Sequence, residues 1–203
     1  MTTARDLLIV SMDVPAADGP VEQGDLSLAL AGAELLDLAA AEALGVADDR
    51  IVPGPPCDLD DGLLRAAAAA LVRQEPYEYV EDWLWRRGRG LRAVYLATLE
   101  SEGRVVRQRH RFHPLSSGRP TVADSADRRR AAERWASGEP VLAALAAAVR
   151  IQDAAADELA RLTSDTVVTV LAAVDEAVTE LAGERQRRTI EDAAFDNIWR
   201  GSS

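Results

Sequence analysis

Hydrophobic residues recur at spacings of three and four along most of the chain, which predicts a mainly helical protein. Leucines between residues 25 and 44 lie nearly all the way round one helix, so this helix is expected to be central and buried. Residues 53–56 (Pro-Gly-Pro-Pro) break the pattern. A helix is predicted over 63–73, because acidic residues, which suit a helix N-terminus, come directly before it. Another is predicted over 83–102, with a weak start at two glycines.

Three more helices are predicted in the C-terminal half. A short basic helix covers residues 128–137. Pro140 suits the first turn of the next helix, whose apolar stripe runs on to Leu159. The last begins at Asp165 and is expected to end at Gly183. We expect these last two helices to form an antiparallel pair.

Strand character is clearest in Arg104–Pro114, where basic residues alternate with others. Arg107, Arg109 and Arg111 would share one face of this strand, and a small hairpin is expected here. The tail, 184–203, is either an amphipathic helix or a partly ordered end. These patterns predict a single domain over residues 1–203 with a mainly α fold.

The composition excludes several classes of protein. Cys57 is the single cysteine, so a disulfide framework and a cysteine zinc site are excluded. His110 and His113 have no partners at metal-ligand spacing, and no metal or cofactor is predicted. There is no glycine-rich phosphate loop and no nucleophile elbow, so an enzyme is not expected. Residues 1–13 lack a cleavage signature, and a soluble cytoplasmic protein is expected.

Charge is distributed unevenly along the 203 residues, whose net charge is −11 and whose bases are all arginine. Residues 1–82 carry −13 and residues 114–203 carry −4, whereas residues 83–113 carry +6. The chain is therefore not a general binder of polyanions. It can still present one anion-binding face.

Four arginines crowd the start of a predicted helix: Arg86, Arg87, Arg89 and Arg92. Guanidinium groups near a helix N-terminus form a reasonable phosphate site, because each planar fork can hold two oxygens. The alternative is that they pair with acids of the first third, such as Glu75, Glu78, Glu81 and Asp82. Beside them, Trp83 and Trp85 cannot share one helix face, so one is expected in the core and the other near the arginines or a membrane interface.

Two segments, residues 30–38 (LAGAELLDL) and 91–103 (LRAVYLATLESEG), have a familiar pattern and order. Together they resemble the Golgi phosphoprotein 3 family, the first its central helix and the second a later helix that precedes its strand. His113-Pro114-Leu115 matches the family's HPL, and the order of elements agrees from about Ala4 to Gly183. The lysine-free, arginine-rich composition is typical of a GC-rich bacterial genome, which indicates a bacterial, actinobacterial member.

The resemblance implies a helical bundle core ringed by amphipathic helices, with one small β-hairpin. It also implies a peripheral membrane adaptor that binds phosphatidylinositol 4-phosphate. Two pocket arginines of the family match Arg89 and Arg92. The family's central-helix arginine falls at Ala31 and its tryptophan near Glu22, so half of the pocket is replaced. The family's apolar hairpin tip falls on basic residues here, at 107–111. An electrostatic contact with anionic headgroups survives these departures.

Three functions are compatible with these features of the sequence. The first is a peripheral membrane or adaptor protein, cytoplasmic or at the inner face of the membrane, which binds anionic phospholipid headgroups or another phosphate ligand through the four arginines and the basic hairpin. The second is a winged-helix-like regulator of nucleic acid, which the net charge disfavours. The third is an interaction module without lipid, whose basic block docks an acidic protein surface or a second copy in a homo-oligomer.

Overall fold

The computed structural model describes residues 2–14, 19–107, 120–151 and 164–200, with side chains described through residue 192. This part of the chain forms eight helices and two short hairpins, so the mainly helical prediction is confirmed. The helices are α1 (Thr3–Asp13), α2 (Gln23–Ala40), α3 (Gly62–Ala69), α4 (Val80–Arg87), α5 (Leu91–Ser101), α6 (Ala126–Ala136), α7 (Pro140–Ala148) and α8 (Asp165–Arg200). The strands are β1 (Leu44–Ala47), β2 (Arg50–Pro53), β3 (Val105–Arg107) and β4 (Pro120–Val122).

Helix α2 is the centre of the domain and contacts α1, α3, α4, α5, α7 and α8. Its residues from Asp25 to Leu36 are all buried, as the leucines all round the helix predicted. The predicted end at Leu44 is wrong. The helix stops at Ala40, because Glu42 adopts a left-handed conformation (φ 57°) and the chain then enters β1.

Helix α8 packs against α2 at a glycine. A Cβ on Gly32 would lie 2.3 Å from Cγ2 of Val174, so the two helices meet there without room for a side chain. The predicted end of α8 at Gly183 is wrong, since the helix continues to Arg200. A single interior glycine costs a helix only about 1 kcal/mol, which does not end one whose earlier turns are packed on α2.

The predicted helix over 83–102 is two helices. Gly90 adopts φ 70°, which takes the chain out of the helical path between α4 and α5. The glycines at which a weak helix start was predicted therefore separate two helices. Leu91, Tyr95 and Leu99 lie four residues apart and are all buried, so they form the inner face of α5.

Two antiparallel hairpins replace the single predicted one. The first pairs β1 with β2 through a turn at Asp48 and Asp49, which both have positive φ. Sequence reasoning missed it because its strands have four residues each and its turn has no glycine. The second hairpin pairs β3 with β4, with Val105 opposite Val122. The rest of the predicted strand, 108–114, lies outside the described residues.

Helices α6 and α7 agree with their predicted starts. The short basic helix is α6, and α7 begins at Pro140, where the Glu139 carboxylate accepts the first backbone N–H groups. Helix α7 ends at Ala148, before Arg150 adopts φ 59°. The later part of the predicted stripe, from Gln152, falls outside the described residues. Helix α7 contacts α8, as expected for neighbouring elements.

No helix in the described ranges combines the length and the hydropathy needed to cross a lipid bilayer.

Candidate anion-binding groove

The four clustered arginines separate into two pairs in the folded chain. Arg86, at the end of α4, forms a bidentate ion pair with Glu78, with Nε–Oε1 at 2.7 Å and Nη2–Oε2 at 2.8 Å. Its guanidinium also lies over the ring of Trp83, 5.2 Å from the centroid. The hydrogen bond to Glu78 raises the pKa of Arg86 above its ordinary value. Glu78 is one of the acids considered above as an alternative partner, so Arg86 adopts that arrangement.

Arg87 points into the protein. Its Nε and Nη2 donate to Glu34 at 2.7 and 2.9 Å, and Glu34 is completely buried on α2. The Tyr95 hydroxyl donates to the same carboxylate at 3.1 Å. The hydrogen bonds to Glu34 raise the pKa of Arg87, so the guanidinium stays charged in this setting. Arg87 thus joins α4 to α2, with its fork occupied by a carboxylate.

Arg89 and Arg92 form no ion pair with any described residue. Arg89 lies in the segment between α4 and α5 and is exposed. Arg92 lies in the first turn of α5 and is half-buried, and its Nε is buried without a hydrogen-bond partner among the described residues. A buried guanidinium nitrogen without an acceptor is unusual, so the described residues leave the hydrogen-bonding capacity of Arg92 partly unused.

Both arginines line one surface groove of about 250 Å³. Trp85 from α4, Ser27 from α2 and Leu181 from α8 line it too. The Ser27 hydroxyl accepts the backbone N–H of Arg92 at 3.2 Å, which holds the start of α5 against α2. The groove therefore combines two cationic side chains with apolar walls, a composition suited to a ligand with one anionic end.

The groove lies where two helices begin. Helix α2 starts at Gln23 and α5 at Leu91, and neither has a side-chain N-cap. The first N–H groups of a helix lack intrahelical acceptors, and the macrodipole gives this end a partial positive charge. Two such ends and two arginines therefore lie together at this groove, in a protein whose net charge is −11. A phosphate group is the type of ligand that such ends accept.

The positions that differ from the family's pocket are also resolved. Ala31 is fully buried, and its carbonyl accepts the indole N–H of Trp83 at 3.1 Å. Glu22 is the exposed residue before α2. Of the two neighbouring tryptophans, Trp83 is in the core and Trp85 lines the groove, as the helix geometry predicted.

The hairpin arginines contribute less to this picture. Arg107, on β3, pairs with Glu100 at 2.8 Å and is partly exposed. Arg109 and Arg111 lie outside the described residues, as do His110 and His113. The shared basic face predicted for this strand therefore stays a prediction.

Sequence reasoning missed Arg185, which lies beside the groove. Its guanidinium contacts the start of α2, which precedes it by 160 residues. A local signal existed, since Arg185 follows Leu181 by four residues and so continues the inward stripe of α8. The expected helix end at Gly183 concealed that signal.

These features define a class: a mainly helical domain with short hairpins and an arginine-lined groove at two helix N-termini. The family model of Golgi phosphoprotein 3 (GPP34) matches residues 4–193. The chain therefore belongs to that family, and the resemblance drawn from the sequence is confirmed. No curated protein gives a significant match to the chain.

Proposed function

We propose that this chain is a peripheral membrane or adaptor protein whose groove binds the phosphate of an anionic phospholipid headgroup. The observation that carries the proposal is the division of the arginine cluster. Arg86 and Arg87 hold carboxylates, whereas Arg89 and Arg92 line the groove with no carboxylate partner among the described residues. A phosphate would accept hydrogen bonds from the guanidinium groups of both arginines, and the partial positive charge at the start of α2 would add to the attraction.

Membership of the Golgi phosphoprotein 3 family supports the same reading, because Arg89 and Arg92 are the residues that match that family's pocket arginines. Ala31 and Glu22 replace the other two pocket residues, so phosphatidylinositol 4-phosphate is one candidate headgroup among anionic lipids. The proposed location of the protein is the cytoplasmic face of a membrane. Attachment rests on a few arginines, each contributing about 1 kcal/mol near an anionic surface.

Liposome flotation tests the proposal. Vesicles of phosphatidylcholine alone, with phosphatidylserine, and with phosphatidylinositol 4-phosphate would be compared at low and moderate salt. Arg89→Gln/Arg92→Gln should weaken binding about thirtyfold, corresponding to about 2 kcal/mol for two arginines. The matched control is Arg129→Gln/Arg130→Gln, which removes the same charge from exposed positions on α6 that do not line the groove.

Absence of flotation on every anionic vesicle at low salt would overturn the proposal. Equal losses in the groove variant and the control variant would also overturn it, because general charge attraction would then explain the binding. A gel-shift assay on the same proteins tests the nucleic-acid alternative. Retardation of duplex DNA that is lost in the groove variant would assign the arginines to that ligand instead.

A further inference from the structure

Arg185 is anchored at the start of α2 by an acid. Its Nη1 donates to Oδ2 of Asp25 at 3.2 Å, and its Nη2 donates to Oδ1 of the same carboxylate. Asp25 is in the first turn of α2, and its side chain is 13% exposed, compared with 33% for Arg185. The ion pair therefore fixes a guanidinium from α8 at a helix N-terminus.

This guanidinium lies directly beside the groove. Gly24, the residue before Asp25, lines the groove, and so does Leu181, one turn before Arg185 on α8. A Cβ on Gly24 would lie 3.0 Å from Nη2 of Arg185, so the guanidinium packs against bare backbone at the groove edge. A larger residue at position 24 would push Arg185 away from this edge.

The arrangement of charge gives Arg185 a role beyond its ion pair. Asp25 alone would place a negative charge at the edge of a groove that is proposed to receive phosphate, and Arg185 neutralises it. A guanidinium has five N–H donors, and Asp25 takes hydrogen bonds from two nitrogens only. The remaining N–H groups, on Nε and on the outer side of each Nη, are therefore available to a second anion that binds beside Asp25.

We propose that Arg185 is the third cationic arm of the groove, bridging Asp25 to a bound phosphomonoester. This inference rests on the proposed function and adds a cationic residue from α8 to the site. The bound group is either the phosphomonoester of a lipid headgroup or free inorganic phosphate, since both present the same terminal oxygens to the guanidinium. Residues 186–192 of α8 are all exposed, so the ligand would reinforce the last anchored point of this helix.

Arg185→Gln and its matched control Arg188→Gln separate this role from general charge. Arg188 is exposed, lies three residues later on the same helix and forms no ion pair with a described residue. Binding would be measured to phosphatidylcholine vesicles containing phosphatidylinositol 4-phosphate, and to inorganic phosphate by calorimetry. Arg185→Gln should bind about fivefold more weakly than wild type, equivalent to about 1 kcal/mol, and Arg188→Gln less than twofold.

The double variant Asp25→Asn/Arg185→Gln distinguishes contact from neutralisation. If Arg185 only cancels the charge of Asp25, the double variant regains wild-type affinity, and the inference is overturned. If Arg185 contacts the phosphate, the double variant binds more weakly than Asp25→Asn alone. Equal affinities of Arg185→Gln and Arg188→Gln would overturn it as well.

Hydrogen exchange on the wild-type chain provides a test that needs no variant. Phosphate should slow amide exchange in α8 around residue 185, and unchanged exchange at saturation would contradict the bridge. Binding of inorganic phosphate without binding to vesicles would support Arg185 and assign a soluble ligand. If the wild-type chain bound neither phosphate nor vesicles, the proposed function itself would be refuted. Failure of the Arg185 proposal and failure of the proposed function are therefore distinguishable.

Discussion

Two glycines inside helices should respond in opposite directions to the same substitution. Gly32, on α2, faces α8, and a Cβ there would lie 2.3 Å from Cγ2 of Val174. Favourable carbon–carbon contacts lie at about 3.5–4.0 Å, so the overlap exceeds about 1 Å. Val174 is fully buried and its branched side chain has few rotamers, so relief requires α8 to move away from α2.

The magnitude follows from two opposing contributions. Overpacking of a core costs about 1–3 kcal/mol, while replacing a helical glycine by alanine stabilises by about 0.5–1 kcal/mol. Gly32→Ala should therefore lower the free energy of unfolding by about 1–2 kcal/mol. Gly183 has no atom within 4 Å of its Cβ position, so Gly183→Ala should raise the free energy of unfolding by about 0.5–1 kcal/mol.

Urea denaturation followed by circular dichroism measures both variants, and thermal melts should show shifts of about 2–4 °C per kcal/mol for a chain of this size. In a double-mutant cycle, Val174→Ala should relieve the overlap, so Gly32→Ala should cost much less in that background. Equal stabilisation by Gly32→Ala and Gly183→Ala would refute the close packing of α8 on α2. The position of Arg185 beside the groove would then lose its support.

Two ion pairs give further predictions. Arg87→Met leaves the buried Glu34 carboxylate without its partner, so it should lower the free energy of unfolding by about 3–5 kcal/mol. Glu34→Gln/Arg87→Met should recover part of that loss. Equal losses of stability in the two variants, measured by urea titration, would contradict the structural role of this ion pair. Arg5 donates to Glu102 at 2.6 and 2.9 Å, which lowers the pKa of the Glu102 carboxyl. This pair therefore stabilises the protein above the unfolded pKa of about 4.3, and the stabilisation is lost as the pH falls through the lower folded pKa. Glu102→Gln should be less stable than wild type near pH 7, and the difference should shrink in acid; a difference that is constant with pH would exclude titration of Glu102 as its source.

Local signals predicted much of the helical structure. The leucine pattern of α2, the aspartates before α3 and the proline of α7 each act within a few residues, so the sequence alone reveals them. Asp61 is an example, because its carboxylate caps α3 by accepting the N–H groups of Leu63 and Leu64, both at 2.9 Å. The ends predicted for α2 and α8 were wrong and the break between α4 and α5 was missed, because left-handed residues and packing on other helices decide these limits.

The sequence by itself determined the mainly helical fold, the family and a basic block within an acidic chain. It did not determine which arginines of that block are available to a ligand. Glu34 precedes Arg87 by 53 residues, and Asp25 precedes Arg185 by 160, so only folding brings each carboxylate to its guanidinium. Helical periodicity reports on neighbours three or four residues apart, whereas charge pairing depends on contacts between distant helices. The tertiary structure therefore decided which arginines hold the fold together and which line the groove.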